Sequence, residues 1–323
     1  MRSIANAAGI VLAFSPLLVS AQGRMGFALG THLPNASCKL ESDYEADMIA
    51  IKKNSGSNLV RMYSSADCEC VPKVLAAAKA QGFQVLLGVW PDDKVSMTLD
   101  KYALQTGIDG YLDQVFGVSV GSETMYRKTF TGPQLLEAIN DVRTVLPKGV
   151  KVGTADSWNK FADGTADAVI KGGVDFLLAN GFAYWQAQPI TNATRTFFDD
   201  IQQALAHIQT VSGSLNAIEF WVGETGWPTD GRRMTLNLGY SYDTDLHAGG
   251  TNYGAAIAST KNAQTYYDDA ICGILAYGVN TFVFEAFDEP QKPAAIGDSG
   301  AEGDERHWGV MTSDRTPKFP LTC

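Results

Sequence analysis

Two glutamates close apolar runs, where an idle carboxylate would be costly to desolvate. Glu123 ends Phe116-Gly117-Val118-Ser119-Val120-Gly121-Ser122-Glu123, and Glu224 ends Phe220-Trp221-Val222-Gly223-Glu224 ahead of Thr225-Gly226-Trp227-Pro228. Two carboxyls on one rim suit glycoside hydrolysis. One hands a proton to the leaving oxygen while the other meets the positive charge that develops at the anomeric carbon. The bland alternative for each is an ion pair with arginine or a helix cap, because structural ion pairs mimic functional sites. A serine nucleophile is also suggested by Gly117-Val118-Ser119-Val120-Gly121, but that motif needs its serine on a sharp strand-to-helix turn. Ser119 lies between two valines inside a strand-like run, so it is discounted. The four histidines (His32, His207, His247, His307) show no metal-ligand spacing, and neither H-E-x-x-H nor a P-loop occurs. No cofactor is called for.

The elements that must position the glutamates recur with a regular rhythm. Apolar, β-branched runs at 26–30, 59–63, 85–90, 115–120, 151–154, 174–180, 218–223 and 280–285 read as strands buried on both faces. Amphipathic stretches separate them. One spans 131–147, with Leu135, Ile139 and Val142 at helical spacing between Thr131 and Pro147; another spans 194–212 with Phe197, Ile201 and Ile208. Eight strands alternating with helices is the number that closes a single α/β (β/α)8 TIM barrel. A doubly wound open sheet would carry a Gly-rich phosphate turn after its first strand, and none is present. In a barrel, acids at the C-terminal strand ends are the catalytic candidates. A Gly/Tyr/Asn/Asp-rich segment at 231–255 reads as a long loop on that same face.

Composition narrows the substrate. The 323 residues fit one large barrel of roughly 250 residues or two smaller domains. With 25 Lys+Arg against 35 Asp+Glu, the chain lacks the basic surface that nucleic acid or anionic lipid requires. Its 32 Gly, 15 Phe, 12 Tyr and 6 Trp against only 19% charged residues suit a neutral partner. Residues 1–21 read as a signal peptide: Arg2, an apolar stretch at 9–19 broken by Pro16, then Val19-Ser20-Ala21. The stretch is too short to span a bilayer, and residues 22–323 are expected to form the secreted domain without membrane attachment. Export permits disulfides among Cys38, Cys68, Cys70, Cys272 and Cys323, an odd number that leaves at least one over. Glycosylation sequons begin at Asn35 and Asn192.

The motifs then become specific. Gly26-Phe27-Ala28-Leu29-Gly30, Val60-Arg61-Met62-Tyr63, Gly88-Val89-Trp90-Pro91, Val120-Gly121-Ser122-Glu123 and Thr154-Ala155-Asp156-Ser157-Trp158 appear in order. Asn180-Gly181-Phe182-Ala183-Tyr184-Trp185-Gln186, Gly223-Glu224-Thr225-Gly226-Trp227-Pro228-Thr229, Phe284-Glu285-Ala286-Phe287-Asp288-Glu289 and Glu305-Arg306-His307-Trp308-Gly309-Val310 follow. Across nearly the whole mature chain the sequence resembles glycoside hydrolase family 17, and most closely its fungal cell-wall branch of β-1,3-glucan hydrolases and transglycosylases.

The resemblance implies a barrel and a retaining double displacement, with Glu123 as acid/base and Glu224 as nucleophile. In such enzymes the carboxyls sit roughly 5 Å apart, so ionised Glu224 raises the pKa of Glu123 until Glu224 is esterified to sugar. It also implies that Tyr63, Asp156, Trp158 and Tyr184 line the sugar site, Tyr184 near the nucleophile. Glu285, Glu289 and Lys292 match a late cleft-lining segment, where a third carboxylate needs Lys292 or Arg61 as partner. Cys38–Cys68 and Cys272–Cys323 are the implied disulfides, with Cys70 an addition that could compete with Cys68. One departure is Ser122, which stands where the broader clan has an asparagine for the sugar 2-hydroxyl. The implied partners are β-1,3-glucan donor and acceptor chains in the cell wall, acted on by a monomer. Whether water or glucan resolves the intermediate is left open. The alternative is a non-catalytic wall glucan-binding or structural protein, which would have no need to keep both glutamates.

Overall fold

Eight parallel strands pair in sequence order and close on themselves: β1 (Met25–Ala28), β2 (Leu59–Arg61), β3 (Gln84–Val89), β4 (Val115–Ser122), β5 (Val152–Ser157), β6 (Phe176–Asn180), β7 (Glu219–Thr225) and β8 (Asn280–Val283). β8 returns to β1 through Met25↔Thr281 and Phe27↔Val283. This is a computed structural model that describes residues 22–214, 216–230, 253–292, 294–296 and 302–323. The leader at 1–21 and the loop expected from 231 lie outside the described residues, the loop except for its last three positions.

The helices pack outside the barrel: α1 (Glu41–Ser55), α2 (Cys70–Gln81), α3 (Lys94–Gly107), α4 (Gly132–Arg143), α5 (Trp158–Ala162), α6 (Asp167–Lys171), α7 (Ile190–Ser212), α8 (Thr260–Tyr266) and α9 (Cys272–Ala276). A π-helical turn, Tyr267–Ile271, joins α8 to α9. Two short antiparallel strands, β9 (Ala294–Ile296) and β10 (Glu302–Asp304), follow the barrel. α4 starts as expected, with Thr131 and Gln134 forming a capping box, but it ends at Arg143, short of Pro147. α7 starts at Ile190, four residues before the expected start, and Ile190 and Ala193 extend its core-facing side by one turn. Among the described residues no helix is long and apolar enough to cross a membrane.

The core has two compartments. Val74, Leu75 and Ala78 of α2 and Phe197, Ile201 and Ile208 of α7 belong to the layer between helices and barrel. Inside the barrel, Leu59, Leu86, Phe176, Leu178, Trp221 and Phe282 form a separate plug, with Trp221 stacked on Phe282 at 5.2 Å. Side chains alternate faces along a strand. Arg61 therefore follows Leu59 inward on β2, and Asn180 follows Phe176 and Leu178 inward on β6, each one level above the plug. Large apolar groups fill the lower barrel, and polar ones are left to line its mouth.

Both catalytic-candidate strands carry an extra residue just before their glutamate. On β4 the pairing with β5 steps from Ser119↔Gly153 to Ser122↔Ala155. On β7 it steps from Ala179↔Val222 to Asn180↔Glu224 against β6, and from Val222↔Thr281 to Thr225↔Val283 against β8. Such bulges re-aim the side chains that follow them. β7 runs through Glu224 to Thr225, beyond the expected end at 223, so that glutamate sits within the ladder.

Both expected disulfides are formed, Cys38–Cys68 and Cys272–Cys323. Cys70 is a buried free thiol whose Sγ donates to Ser64 O at 3.3 Å, and burial first, then Asp67, pushes it up to about 12. Such a thiol is a poor competitor for its neighbours. The second bridge closes a separation of 51 residues and ties the C-terminus to α9. Replacing both Cys272 and Cys323 by serine is expected to cost about 4 kcal/mol by chain entropy. Calorimetry should then show Tm lower by roughly 10 °C; an unchanged Tm would mean that packing alone, such as Tyr267 Oη donating to Leu321 O at 2.8 Å, holds the terminus.

Candidate active site

Glu123 is presented by an unusual backbone. Its φ of 57° is left-handed, and Gly121, at φ 82°, bends the chain two residues earlier. A non-glycine residue there costs on the order of 1–3 kcal/mol and persists only where its surroundings impose it. Here Glu123 N donates to Ala155 O at 3.0 Å, and Arg127 N donates to Glu123 O at 2.8 Å. Asp156 completes the clamp. Its carboxylate accepts from Met125 N (2.9 Å), Tyr126 N (3.1 Å) and Ser157 N (2.8 Å). Asp156 has no exposed surface, so it does not line the sugar floor as expected. Strand alternation turns it away from the interior face that Ala155 occupies, and it braces the loop after Glu123 from beneath. Burial pushes Asp156 up to about 7, with the Met125 and Ser157 amides pulling the other way.

The Glu123 side chain is half-buried and accepts from Asn180 Nδ2 at 3.1 Å. Burial, then the negative charge of Glu224, pushes it up to about 8, with Asn180 pulling the other way. Glu123 is therefore a carboxylic acid at neutral pH. Because the Asn180 hydrogen bond favours the ionised form, Asn180→Ala should move the alkaline limb of kcat/KM to higher pH. It should also lower kcat about tenfold by freeing the carboxyl's orientation. A limb that stayed in place would show that Asn180 does not act on Glu123.

Glu224 is 8% exposed and faces Arg61, itself 1% exposed, with Nη1–Oε1 at 3.0 Å. Arg61 also donates from Nη1 to Gly223 O at 2.7 Å and from Nη2 to Ser122 Oγ at 3.3 Å. Ser122 Oγ in turn reaches Glu224 Oε1 at 3.4 Å. The residue that departs from the clan pattern thus bridges Arg61 and Glu224. The Arg61 guanidinium lies 4.8 Å from the Tyr63 ring centroid. The Tyr63 hydroxyl is buried beside Glu224, and burial, then the Glu224 charge, raises it well above the ordinary phenol range. It stays a neutral donor beside the carboxylate.

The late segment forms its own closed unit. Lys292 Nζ bridges Glu285 at 2.8 Å and Glu289 at 2.6 Å. Burial and the neighbouring Glu289 hold Glu285 well above the usual carboxylate range. Burial opposes the Glu289 charge, but Lys292 overcomes it and keeps that group low. The expected partnering by Lys292 holds, and Arg61 is committed to Glu224. Gly30 makes room for this unit, since a Cβ there would stand 1.8 Å from Glu289 Oε1.

The expected aromatics divide. Trp158 is half-buried and opens α5 directly after β5. Tyr184 is only 3% exposed, packed edge-on against Trp227 at 5.0 Å and Trp308 at 5.5 Å. Trp185 stacks on Trp308 at 5.4 Å. Asn35 and Asn192 are both exposed. The motif reading did not single out Asn180 or Glu305 as site residues. Asn180 was available from the Phe176-x-Leu178-x-Asn180 alternation. Glu305 lies in the turn Glu305–His307; burial raises it, and it feels the charges of Lys292 and Glu224. Nothing local in its sequence announces that.

An acid held protonated beside a carboxylate with its own guanidinium counter-charge is the pair that a double displacement at an acetal carbon requires. Relatives agree. The sequence model of the BtgE/BtgC glycoside hydrolase domain matches residues 26–309. The chain is 46% identical to a glucan 1,3-beta-glucosidase of Arthroderma benhamiae, over 98% of this chain and 96% of that one. It is 41% identical to a glucan 1,3-beta-glucosidase of Saccharomyces cerevisiae, with the same coverages. Among solved structures, an active-site mutant of Rhizomucor miehei beta-1,3-glucanosyltransferase in complex with laminaritriose superposes with a TM-score of 0.73. It is 28% identical and covers 93% of this chain and 97% of that one. The crystal structure of the glycoside hydrolase family 17 beta-1,3-glucanosyltransferase from the same organism gives 0.72, at 28% identity over 92% and 96%. The chain belongs to the BtgE/BtgC glycoside hydrolase family, and its resemblance to family 17 is borne out.

Proposed function

We propose that this enzyme is a retaining glycosidase that cleaves β-1,3-glucan and passes the released glycosyl unit to a second glucan chain, remodelling a fungal cell wall. The observation that carries the reading is the split between the two carboxyls: Glu123 pushed up to about 8, Glu224 paired with Arg61. In the first half-reaction a Glu224 oxygen attacks the anomeric carbon as the glycosidic C–O bond breaks, and Glu123 gives its proton to the departing oxygen. Once Glu224 is an ester its charge is gone, so the pKa of Glu123 falls and the carboxylate left by its proton transfer persists as the base that the second half needs. It then takes a proton from water or from an acceptor hydroxyl, whose oxygen displaces Glu224. Similarity to glucan 1,3-beta-glucosidases supports the substrate, and similarity to a glucanosyltransferase supports the transfer.

The reading extends to the whole of residues 22–323 acting as a secreted monomer in the wall, with Asn35 and Asn192 glycosylated; intact-mass analysis of the exported protein tests these points. Timed product analysis on a reduced laminari-oligosaccharide series tests the reaction. Products longer than the donor should appear early, alongside shortened ones. Glucose and short fragments alone would reject transfer, and turnover of cellulose or mannan but not laminarin would reject the substrate.

A further inference from the structure

The chain enters the barrel from its floor, and its first residues there are held unequally. Residues 22–24 run as coil into β1. Gly23 N donates to Leu275 O of α9 at 2.8 Å. A Cβ on Gly23 would stand 2.3 Å from Val279 O, so only glycine fits against the turn after α9. Arg24 N donates to Asn280 Oδ1 at 2.7 Å, and its guanidinium donates to Gln84 Oε1 at 3.1 Å and to Asn58 Oδ1 at 3.3 Å. Arg24 O accepts from Thr281 N at 2.9 Å. Tethering therefore begins at Gly23. Gln22 is exposed and stands beside an open cavity of about 370 Å³ that it shares with Thr322 and Cys323. Among the described residues no hydrogen bond or ion pair holds it. Its side chain is free to turn back on its own backbone nitrogen.

The sequence places an independent boundary just ahead of Gln22. The small residues of Val19-Ser20-Ala21 mark a cut after Ala21, and the first tethered residue is Gly23. One residue lies between the two, and it is the one that the cut leaves with a free α-amine. Such an amine has a pKa of about 7.7–8.0, so near neutral pH a fraction of it is uncharged and nucleophilic. The carboxamide carbon of the same residue lies within closure of a small lactam ring. We propose that removal of the leader exposes Gln22 as the N-terminus and that Gln22 then closes to pyroglutamate. The uncharged α-nitrogen attacks the side-chain Cδ and an N–Cδ bond forms. The Cδ–Nε2 bond breaks, and Nε2 leaves as ammonia with the proton that the α-nitrogen gives up. No oxidant, reductant or co-reactant enters. The product is a neutral lactam, so the positive charge of the terminus is gone and an aminopeptidase has no free amine to grip. The inference rests on the reading of residues 22–323 as the exported domain, and not on the glucan reading.

The test is peptide mapping of the exported protein by mass, beside Gln22→Ala. A synthetic peptide of residues 22–31 carried through the same work-up measures the ammonia lost in handling. The N-terminal peptide of the wild type should begin at Gln22 and weigh less by one ammonia. It should resist Edman degradation until pyroglutamyl peptidase removes that residue, after which Gly23-Arg24-Met25 reads out. Gln22→Ala should read openly at full mass. An added aminopeptidase should take the first residue from Gln22→Ala and nothing from the wild type. The proposal is overturned by a wild-type chain that begins at Gln22 with a free amine, that the aminopeptidase shortens, or that is cyclised no further than the peptide control. A chain that begins at another residue overturns the leader boundary itself, and the proposal with it.

Discussion

Glu224→Ala should lower turnover of laminari-oligosaccharides by on the order of 10⁵–10⁶, the scale seen when a covalent nucleophile is removed. The loss should fall on kcat, because Arg61, Tyr63 and the cleft walls remain in place to bind sugar. Removing the carboxylate also vacates the face from which it attacks. Added azide should therefore restore part of the rate and yield a glycosyl azide of inverted configuration, read by proton NMR. An azide product that retained configuration would place the nucleophile elsewhere. Arg61 makes this site sensitive to the choice of variant. With its counter-charge removed, a fully buried guanidinium is left unpaired, which costs on the order of 3–5 kcal/mol. Glu224→Gln, which keeps an oxygen facing Arg61, is the better variant for binding work.

Glu123→Gln carries the second-largest effect, and its signature is a pH profile. The group's pKa is raised, so Glu123 is protonated below about 8 and loses its proton as pH rises through that value. The enzyme needs the proton in the first half-reaction, so wild-type kcat/KM should fall tenfold per unit above it. In the glutamine variant, activity on glucan should drop by about 10²–10⁴, the contribution of a general acid. An aryl glucoside with a good leaving group should lose far less, and its alkaline limb should vanish. A limb that survives in Glu123→Gln would assign the titration to another group. Asp156, pushed up to about 7 and in contact with the same loop, is the first to examine.

Much of this architecture was legible before any coordinates. Strands such as 85–90 and 174–180 announce themselves because both faces are buried, which leaves near-continuous apolar runs. Glu123 and Glu224 stand out because a carboxylate after such a run has few innocent explanations. Arg61 and Asn180 were within reach of the same reasoning, two residues beyond inward-facing leucines. Of the two partners expected for a late glutamate, Lys292 or Arg61, Lys292 is the one observed. Asp156 shows where the reasoning stops. It ends a strand just as Glu123 does, but alternation and three backbone amides make it a brace under the loop. Glu305 is the opposite case, a residue recognised within a motif but given no role, which the returning chain carries into the field of Glu224.

The sequence by itself determined the eightfold rhythm and the two glutamates, because burial, helical period and motif spacing are properties of neighbours along the chain; the disulfide partners were implied only by the resemblance to family 17. The resemblance named Glu123 as the carboxyl that holds a proton, but only the tertiary structure supplies the cause. That outcome depends on Arg61 from β2, Asn180 from β6 and the burial that eight strands impose together. The bulges on β4 and β7 have the same origin. An extra residue exists only relative to a partner strand, so it appears when the barrel closes and not before.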